Sequence, residues 1–409
     1  MLRRAAAVAG IGQTEFARRL PGSAWELALE AILAALADAG IEPAEVDGIC
    51  RFAPPFEQVS EPMVVRALGL RELAFFAEAP LGGEALGAVI SHAAAAIASG
   101  QASVVVCYRA LSQSQSGRFG RADARSGPGS ASPGPAGPGP AGTAQPEGHV
   151  RVGEEDNRCF HWPYGLMSPG QLFALWATRY AHVHGLSGDD LTTALGTVAI
   201  TQRQYANHNP AAIMRDRALD WDTYRSARII SSPLRLFDLC LENDGACAVV
   251  LTAAGRAAAL RDDPVYVLAA TQSLAPYSEP MGIYADDLIE LFPPAAAARL
   301  YREAGVTPGQ VKVAELYDAT SFMTVKSLES YGFAKDGQGW RYVIDSGIGA
   351  SSPLPVNTHG GHLSEGYLHG MNGLNEAVRQ LRGTACNQVP GADVALVAAP
   401  AGSAVILAR

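Results

Sequence analysis

The sequence predicts an α/β protein made of two similar halves, and three observations support that prediction. Apolar runs typical of buried strands alternate with alanine-rich helical patterns in the first part of the chain. The segment AGIEPAEV at residues 39–46 recurs as AGVTPGQV at residues 304–311, a separation of 265 positions. Each copy ends an amphipathic helix, and each half opens with a strand, which favours a structural repeat over a chance match.

The elements of the first half follow in a regular order. Residues 8–12 predict a short strand, and Ser23 with Glu26 forms a capping box for a helix that ends at Gly40. The next elements predicted are a strand at 73–77, a helix at 84–99 and a strand at 103–107. The apolar stretch 81–106 is long enough to span a membrane, but polar residues interrupt it, so a buried helix followed by a strand is the better interpretation.

A large insertion interrupts the first half. Residues 126–148 are so rich in proline and glycine that we expect a mobile surface segment without chemistry. Helices are predicted at 169–184 and 189–205, and a strand at 246–251. We therefore predict an N-terminal half at 1–110 that continues at about 241–262, an inserted loop domain at 111–240, and a C-terminal half at 263–409.

Composition limits the possible partners. The chain has 409 residues, of which 48% are hydrophobic, and a net charge of -9 without a long basic run. Nucleic acid and membrane are therefore not expected partners, although a local basic patch for an anionic ligand stays open. The six cysteines show no paired metal spacing and no signal peptide precedes them, so we expect a reduced, cytoplasmic protein.

Four segments together resemble the thiolase superfamily, in particular its sterol-carrier-protein-X or lipid-transfer-protein branch. They are EAPLGGEALGAVISHAAAAIASG at 78–100, NDGACAVVL at 243–251, AELYDATSF at 314–322, and PVNTHGGHLSEGYLHGMNGLNEAVRQLRG at 355–383. The resemblance implies a thiolase fold, with two βαβαβαββ halves in a layered α/β/α/β/α core and an inserted loop domain. It also implies a homodimer.

The sequence departs from the thiolase pattern at its catalytic positions. Where a thiolase of this branch has its nucleophilic cysteine, this chain reads Pro-Leu-Gly-Gly at 80–83, and proline cannot carry an acyl group. Two histidine positions of the family are occupied by Tyr317 and Tyr367. This combination resembles the steroid side-chain-cleaving aldolases of actinobacteria.

That second resemblance implies a reaction and a partner. The expected reaction is retro-aldol cleavage of a 17-hydroxy-steroid-carboxyl-CoA, a β-hydroxyacyl-CoA, to a 17-ketosteroid and propionyl-CoA. It needs no covalent enzyme intermediate and no cofactor, because CoA is part of the substrate. A small OB-fold accessory protein that forms a heterotetramer with the chain is the implied partner.

The candidate site residues follow from this chemistry. Tyr317 and Tyr367 are the expected acid and base, and the sequence leaves open which is which. Asp318 could support a proton relay. Nearby side chains that could donate to the thioester oxygen or tune a phenol are His359, His362 and His369. Backbone N–H groups that could stabilise the enolate belong to Gly82, Gly83, Gly360 and Gly361.

Other interpretations stay in view. His359 and His362 could suggest a metal site, but glycines separate them and no carboxylate motif accompanies them, so no metal is predicted.

Two alternative functions remain. The first is a thiolase with an unexpected nucleophile, of which Cys107 is the best candidate. The second is a non-catalytic acyl-CoA or sterol-binding subunit. Arg118 and Arg121 could lie near a CoA phosphate or on a solvated loop. Motifs for NAD, ATP and serine hydrolysis are absent from the sequence.

Overall fold

The structure is a computed structural model that describes residues 3–54, 58–80, 82–116, 162–274, 288, 294–399 and 402–409. The arginines predicted near a CoA phosphate, Arg118 and Arg121, lie outside these residues, as does the proline- and glycine-rich segment 126–148. In the described residues, no helix combines the length and the apolar character that crossing a membrane requires.

The described strands form one nine-stranded sheet and one small hairpin. The N-terminal half contributes β1 (Ala6–Gln13), β2 (Gly48–Phe52), β3 (Phe75–Ala79), β4 (Val104–Ser112) and β7 (Asp244–Ala253). The C-terminal half contributes β8 (Val265–Thr271), β9 (Val313–Leu316), β10 (Val394–Ala398) and β11 (Ala404–Ala408). The order across the sheet is β3-β2-β4-β7-β1-β8-β11-β10-β9, and the hairpin consists of β5 (Ile229–Ser231) and β6 (Leu234–Arg235).

The two halves repeat the same strand order and the same strand directions. In the first half β2 pairs parallel with β4, β4 antiparallel with β7, and β7 antiparallel with β1. In the second half β9 pairs parallel with β10, β10 antiparallel with β11, and β11 antiparallel with β8. The first strands of the halves, β1 and β8, pair with each other. The prediction of two similar α/β halves is therefore confirmed.

The short sequence repeat lies at equivalent places in the two halves. The 3-10 turns Pro43–Glu45 and Pro308–Gln310 each precede the second strand of their half, β2 and β9. The same separation of 265 positions places Phe52, at the end of β2, opposite Tyr317, just after β9. Each half thus has an aromatic residue at the end of its second strand or directly after it.

Thirteen helices complete the described chain. Those of the first half are α1 (Ala24–Ala39), α2 (Glu61–Leu68), α3 (Leu86–Ala98) and α4 (Gln113–Ser116), followed by α5 (Pro169–His184), α6 (Gly188–His208), α7 (Trp221–Ser226) and α8 (Ala254–Leu260). Those of the second half are α9 (Pro294–Ala304), α10 (Ser321–Ser330), α11 (Gly339–Asp345), α12 (Gly361–Ser364) and α13 (Met371–Arg382). The predicted capping box of α1 is present, and Gly40 ends that helix in the left-handed conformation.

Helices α3 and α13 form the central layer, because each contacts strands of both halves. Helix α1 covers the outer face of the N-terminal strands, and α9 packs against β8 and β11. Gly87 of α3 allows the closest approach: a Cβ there would lie 2.0 Å from the carbonyl oxygen of Thr271 and 2.6 Å from the amide nitrogen of Ala404. The central helix therefore rests directly on the backbone of the other half.

Some element boundaries differ from those that the sequence predicts. The strand predicted at 103–107 extends to Ser112, because β4 pairs with β7 along its whole length as far as Asp244. The polar residues in this extension hid it from a hydrophobicity pattern. The strand predicted at 73–77 lies at Phe75–Ala79, and the helix predicted at 189–205 runs from Gly188 to His208. Helix α5 has the predicted bounds.

The described part of the insertion between β4 and β7 holds helices α5, α6 and α7 and the small hairpin. We propose that residues 111–240 act as one inserted loop domain, with the first residues of that range completing β4.

Strand β3 lies at one edge of the nine-stranded sheet. Phe76 on this strand is 63% exposed.

Close packing at Gly87 yields a stability prediction. We expect Gly87→Ala to lower the free energy of unfolding by about 2 kcal/mol or more, because the added methyl group overlaps backbone atoms that cannot move aside. Gly255→Ala in α8 is the matched control: a Cβ there meets no atom within 4 Å, so the protein should gain up to about 1 kcal/mol from helix propensity. Urea unfolding of both variants measures the difference, and equal stabilities would refute the packing argument.

Candidate active site

Two buried phenols of the C-terminal half meet next to the start of the central helix α3. The hydroxyl oxygens of Tyr317 and Tyr367 lie 2.6 Å apart, and either group can be the donor. Each residue is 7% exposed. Tyr317 comes from the end of β9, whereas Tyr367 comes from the loop between α12 and α13. The sequence prediction that these two tyrosines act together thus has a geometric basis in a direct hydrogen bond.

Tyr317 is held in place by its own strand and by the start of the central helix. Its backbone N–H donates to the carbonyl of Ala398 at 2.7 Å, which continues the pairing of β9 with β10 beyond the strand end. Gly83 lies against the ring, since a Cβ at this glycine would be 2.2 Å from the Tyr317 ring and 2.6 Å from its hydroxyl oxygen. Only glycine fits at position 83 while the phenol stays where it is.

Tyr367 is a neutral phenol. Its backbone N–H donates to Oδ1 of Asn243 at 2.6 Å, which fixes the loop to the start of β7. Burial raises the pKa of the Tyr367 hydroxyl well above its usual value, and the nearby Cys240 raises it further. The hydrogen bond between Tyr367 and Tyr317 opposes the shift without cancelling it. A phenolate at Tyr367 is therefore disfavoured.

His362 and Asp318 form a second pair beside the phenols. The His362 ring lies 5.0 Å from the Tyr317 ring and 5.1 Å from the Tyr367 ring, centroid to centroid. Burial, followed by the positive charge of His359, lowers the pKa of His362 to about 3, so this imidazole is neutral. Its Nδ1 lies 3.1 Å from Oδ1 of Asp318, and burial raises the pKa of that carboxyl group to about 7.

His369 completes the cluster from the opposite side. Its ring lies 5.1 Å from the Tyr367 ring, and its Nδ1 accepts a hydrogen bond from Nε of the buried Arg109 at 2.8 Å. Its ring also stacks on Phe52, the residue equivalent to Tyr317 in the first half. Burial, followed by the charge of Arg109, lowers the pKa of His369 well below its usual value, and the nearby His362 ring lowers it further.

The backbone at His369 is strained. Its φ of 53° lies in the left-handed region, which non-glycine residues seldom adopt and which tends to be retained at functional sites. This backbone conformation places the imidazole next to Gly82. A Cβ on Gly82 would lie 3.3 Å from Nε2 of His369. Gly82 therefore adjoins His369, and Gly83 adjoins Tyr317. Both glycines belong to the segment that the sequence resemblance aligns with the thiolase nucleophile.

His359 belongs to a different group of buried charges. Its Nδ1 lies 2.9 Å from Oε2 of Glu315, and its Nε2 lies 3.7 Å from Oε2 of Glu365. Burial alone would favour the neutral ring, but the carboxylates of Glu365 and Glu315 outweigh it and raise the pKa of His359 to about 10. His359 is thus a buried cation that supports the loop before α12 and lowers the pKa of His362.

The second glycine pair, Gly360 and Gly361, precedes backbone N–H groups that bind the carboxyl group of Asp318. The nearest atoms to a Cβ at Gly360 belong to Ala206, and those at Gly361 belong to Asp318 and Gln202. The N–H groups that follow, of His362 and Leu363, donate to the Asp318 carboxyl at 3.0 and 3.3 Å. Among the described residues, no three His, Cys, Asp or Glu side chains are grouped as metal ligands would be.

Cys107 and Cys240 lack the features of an activated nucleophile. Cys107 is buried in β4 beside Cys50 of β2, and burial raises the pKa of its thiol well above the usual value. Cys240 lies near Tyr367, yet burial and the carboxylates of Asp318 and Glu242 raise the pKa of its thiol as well. Thiolates are the reactive form, so both environments oppose nucleophilic catalysis.

Sequence reasoning missed two residues of the site, Arg109 and Asn243. Arg109 lies in the strand VVVCYRALS, where a charged residue within a buried apolar run was a usable signal. It is 1% exposed and shares its strand face with Cys107 and Leu111, which point toward the central layer. Asn243 directly precedes β7, and no local pattern marks its side chain as a partner of a loop 124 positions later.

Comparison with known proteins places the chain among enzymes that act on acyl-CoA thioesters. Residues 283–406 match a family described as thiolase C-terminal domain-like. The chain is 38% identical over 404 residues to the 17-hydroxy-3-oxo-4-pregnene-20-carboxyl-CoA lyase of Mycobacterium tuberculosis, with 98% of each chain covered. It is 37% identical over 409 residues to a steroid side-chain-cleaving aldolase of Thermomonospora curvata. This match covers 99% of the present chain and 97% of the relative.

Similar solved structures support the same assignment to aldolases with a thiolase fold. The structure titled Ltp2-ChsH2(DUF35) aldolase superposes with a TM-score of 0.87 at 33% identity, and the match covers 100% of this chain and 99% of that one. Human mitochondrial 3-ketoacyl-CoA thiolase in complex with CoA superposes with a TM-score of 0.64 at 14% identity, covering 99% and 98% of the chains. The second likeness is one of fold alone, and it confirms the predicted thiolase fold.

The buried His359 cation yields a prediction about pH and stability. Because its folded-state pKa of about 10 exceeds that of an unfolded histidine, the stabilisation it gives is complete below about pH 6.5 and is lost as the pH rises toward 10. We expect wild type to lose about 3 kcal/mol more than His359→Gln between pH 6.5 and pH 9 in urea unfolding. His208→Gln, an exposed substitution, is the control and should keep the wild-type slope. An unchanged slope in His359→Gln would mean that His359 is not charged in the folded protein.

Proposed function

The chain belongs to the steroid side-chain-cleaving aldolases of the thiolase superfamily, and we propose that it is a retro-aldol carbon–carbon lyase that uses Tyr317 and Tyr367 as its acid and base. Its substrate is a β-hydroxyacyl-CoA with the hydroxyl group on C17 of a steroid, and its products are a 17-ketosteroid and propionyl-CoA. The observation that supports this most strongly is the hydrogen bond between the two phenols, 2.6 Å long, beside Gly83 in the segment that corresponds to the thiolase nucleophile.

The phenol pair can move a proton without forming a phenolate. The substrate hydroxyl gives its proton to one phenol oxygen, that phenol passes its own proton across the hydrogen bond, and the second phenol protonates the departing α-carbon. The carbon–carbon bond breaks in the same step: its electron pair forms the new C–H bond at the α-carbon through a transition state with enolate character, and the hydroxyl carbon becomes a ketone. Both tyrosines end as neutral phenols, which agrees with the raised pKa of Tyr367.

The alternatives have less support from the site. A thiolase needs a thiolate, and the raised pKa values of Cys107, Cys240 and Cys247 oppose one at each of these positions. A non-catalytic binding subunit needs no paired phenols, yet two buried tyrosine hydroxyls are held at hydrogen-bond distance here by a glycine and an asparagine.

The proposal includes the partners of the chain. The reaction uses no cofactor beyond the CoA that the substrate contains. A small accessory protein with an OB fold is proposed as a partner in a heterotetramer, on the basis of the aldolase complex with a DUF35 protein to which the chain is similar. A homodimer is proposed as its core, and the edge strand β3 with its exposed Phe76 is available for pairing with a second copy.

Removal of either phenol oxygen should abolish the relay. We expect Tyr317→Phe and Tyr367→Phe each to lower kcat by about 100-fold to 10,000-fold, because each step of the transfer needs both hydroxyl groups. The measurement is mass spectrometry of products from a 17-hydroxy-steroid-carboxyl-CoA without free CoA. Tyr301→Phe is the matched control, since that buried hydroxyl donates only to the carbonyl of Tyr331 at 2.8 Å and should be dispensable for turnover.

The possible outcomes separate the three functions. Ketone and propionyl-CoA from wild type and Tyr301→Phe, but from neither active-site variant, would support the lyase. Turnover of a β-ketoacyl-CoA that depends on free CoA would instead establish a thiolase. Binding of the acyl-CoA without any turnover would leave the chain as a binding subunit.

Cys240 provides a separate test of the thiolase alternative, because this described cysteine lies near Tyr367. We expect Cys240→Ala to keep kcat within about threefold of wild type, since a buried thiol with a raised pKa contributes packing rather than nucleophilicity. Steady-state rates with the same substrate provide the measurement. A loss as large as that of the tyrosine variants would assign a chemical role to this thiol and contradict the relay.

A further inference from the structure

The hydrogen bond between Arg109 and His369 determines where the proton of that histidine lies. Nε of an arginine always bears hydrogen, so at 2.8 Å it must donate, and Nδ1 of His369 must accept. The ring is neutral, because burial and the charge of Arg109 lower its pKa well below the usual value. A neutral imidazole that accepts at Nδ1 has its one proton at Nε2.

That Nε2–H group faces the catalytic end of the central helix. Nε2 of His369 lies 3.3 Å from the position that a Cβ would occupy on Gly82, and its ring lies 5.1 Å from the ring of Tyr367. The strained φ of 53° at His369 and the stacking on Phe52 hold the ring in this orientation. A thioester whose α-carbon is within reach of the phenol pair would therefore have its carbonyl oxygen near this donor.

We infer that Arg109 is a positioning residue for the proposed lyase reaction: it locks His369 in the Nε2–H tautomer, and His369 then donates a hydrogen bond to the thioester oxygen as the enolate forms. The inference rests on the proposed function. A neutral imidazole donor suits this task, because it stabilises a developing enolate oxygen without losing its proton to it.

The choice of arginine has a physical reason. Arg109 is 1% exposed and lies in the middle of the sheet, on β4, with its guanidinium 5.9 Å from the ring of Phe52. A guanidinium stays protonated in such a place, whereas a buried lysine loses its proton readily. Its permanent charge both repels a second proton from His369 and keeps Nδ1 engaged as an acceptor.

The direct test is the protonation state of the His369 ring. Magic-angle-spinning NMR of the full chain labelled with 15N-histidine gives separate nitrogen shifts for the two tautomers and for the imidazolium, and His369→Gln identifies the signals of interest. We expect Nε2–H in wild type and a mixture with Nδ1–H or imidazolium in Arg109→Met. Arg203→Met is the matched control: Arg203 is also buried, but its Nε donates to the hydroxyl of Ser364 at 2.9 Å, so the His369 signals should not change.

A half-reaction links the tautomer to chemistry. Propionyl-CoA in D2O should exchange its α-protons on the enzyme, with water in place of the substrate hydroxyl as the group that exchanges protons with the far end of the phenol relay. We expect Arg109→Met and His369→Gln to slow that exchange by about 10-fold to 1,000-fold, the effect of losing one oxyanion donor. The apparent KM for propionyl-CoA should change by less than about threefold. Arg109→Lys should recover part of the exchange rate and part of the Nε2–H signal.

The outcomes keep the two proposals distinct. A His369 that is not the Nε2–H tautomer in wild type overturns the inference without any variant, and so does an exchange rate that Arg109→Met leaves unchanged. Failure of wild type to cleave a 17-hydroxy-steroid-carboxyl-CoA, while it still exchanges the α-protons of propionyl-CoA, would instead refute the proposed substrate and reaction.

Discussion

The hydrogen bond between the Tyr317 and Tyr367 hydroxyls is the interaction on which the site depends. It joins the end of a strand to a loop that precedes the central helix α13, and it can form only because Gly83 has no side chain to displace the Tyr317 ring. The close contact of Gly87 with the strands of the other half fixes helix α3, which Gly83 precedes by three residues. Packing between the two halves thus preserves the space that the Tyr317 ring occupies.

The electrostatics of the site keep its phenol and imidazole groups neutral. Burial disfavours the phenolate of Tyr367 and the imidazolium forms of His362 and His369, and it raises the pKa of Asp318 to about 7. Two cations lie beside the groups proposed to act. Arg109 donates a hydrogen bond to His369, and the charge of His359 lowers the pKa of His362. A neutral cluster suits a reaction in which one proton leaves oxygen and one arrives at carbon with no net charge transferred to the enzyme.

The sequence predicted the architecture well and the site in part. The repeat, the capping box of α1 and the bounds of α5 depend on local patterns, and the structure reproduces all three. The tyrosine pair came from resemblance to a family, since nothing local distinguishes Tyr317 from a packing residue. Arg109 and Asn243 could not be predicted as partners, because their contacts join segments 260 and 124 positions apart. The direction of the backbone N–H groups after Gly361, toward Asp318, likewise depends on tertiary packing.

The central claim is that carbon–carbon cleavage here involves no covalent bond to the protein. Intact-protein mass spectrometry of the enzyme, quenched by acid during steady-state turnover of the 17-hydroxy-steroid-carboxyl-CoA, tests it most directly. The relay between two phenols predicts that the protein keeps the mass of the unmodified chain at every time point while propionyl-CoA accumulates. A population of protein heavier by an acyl group, formed and lost at the rate of turnover, would contradict the relay and establish a nucleophile.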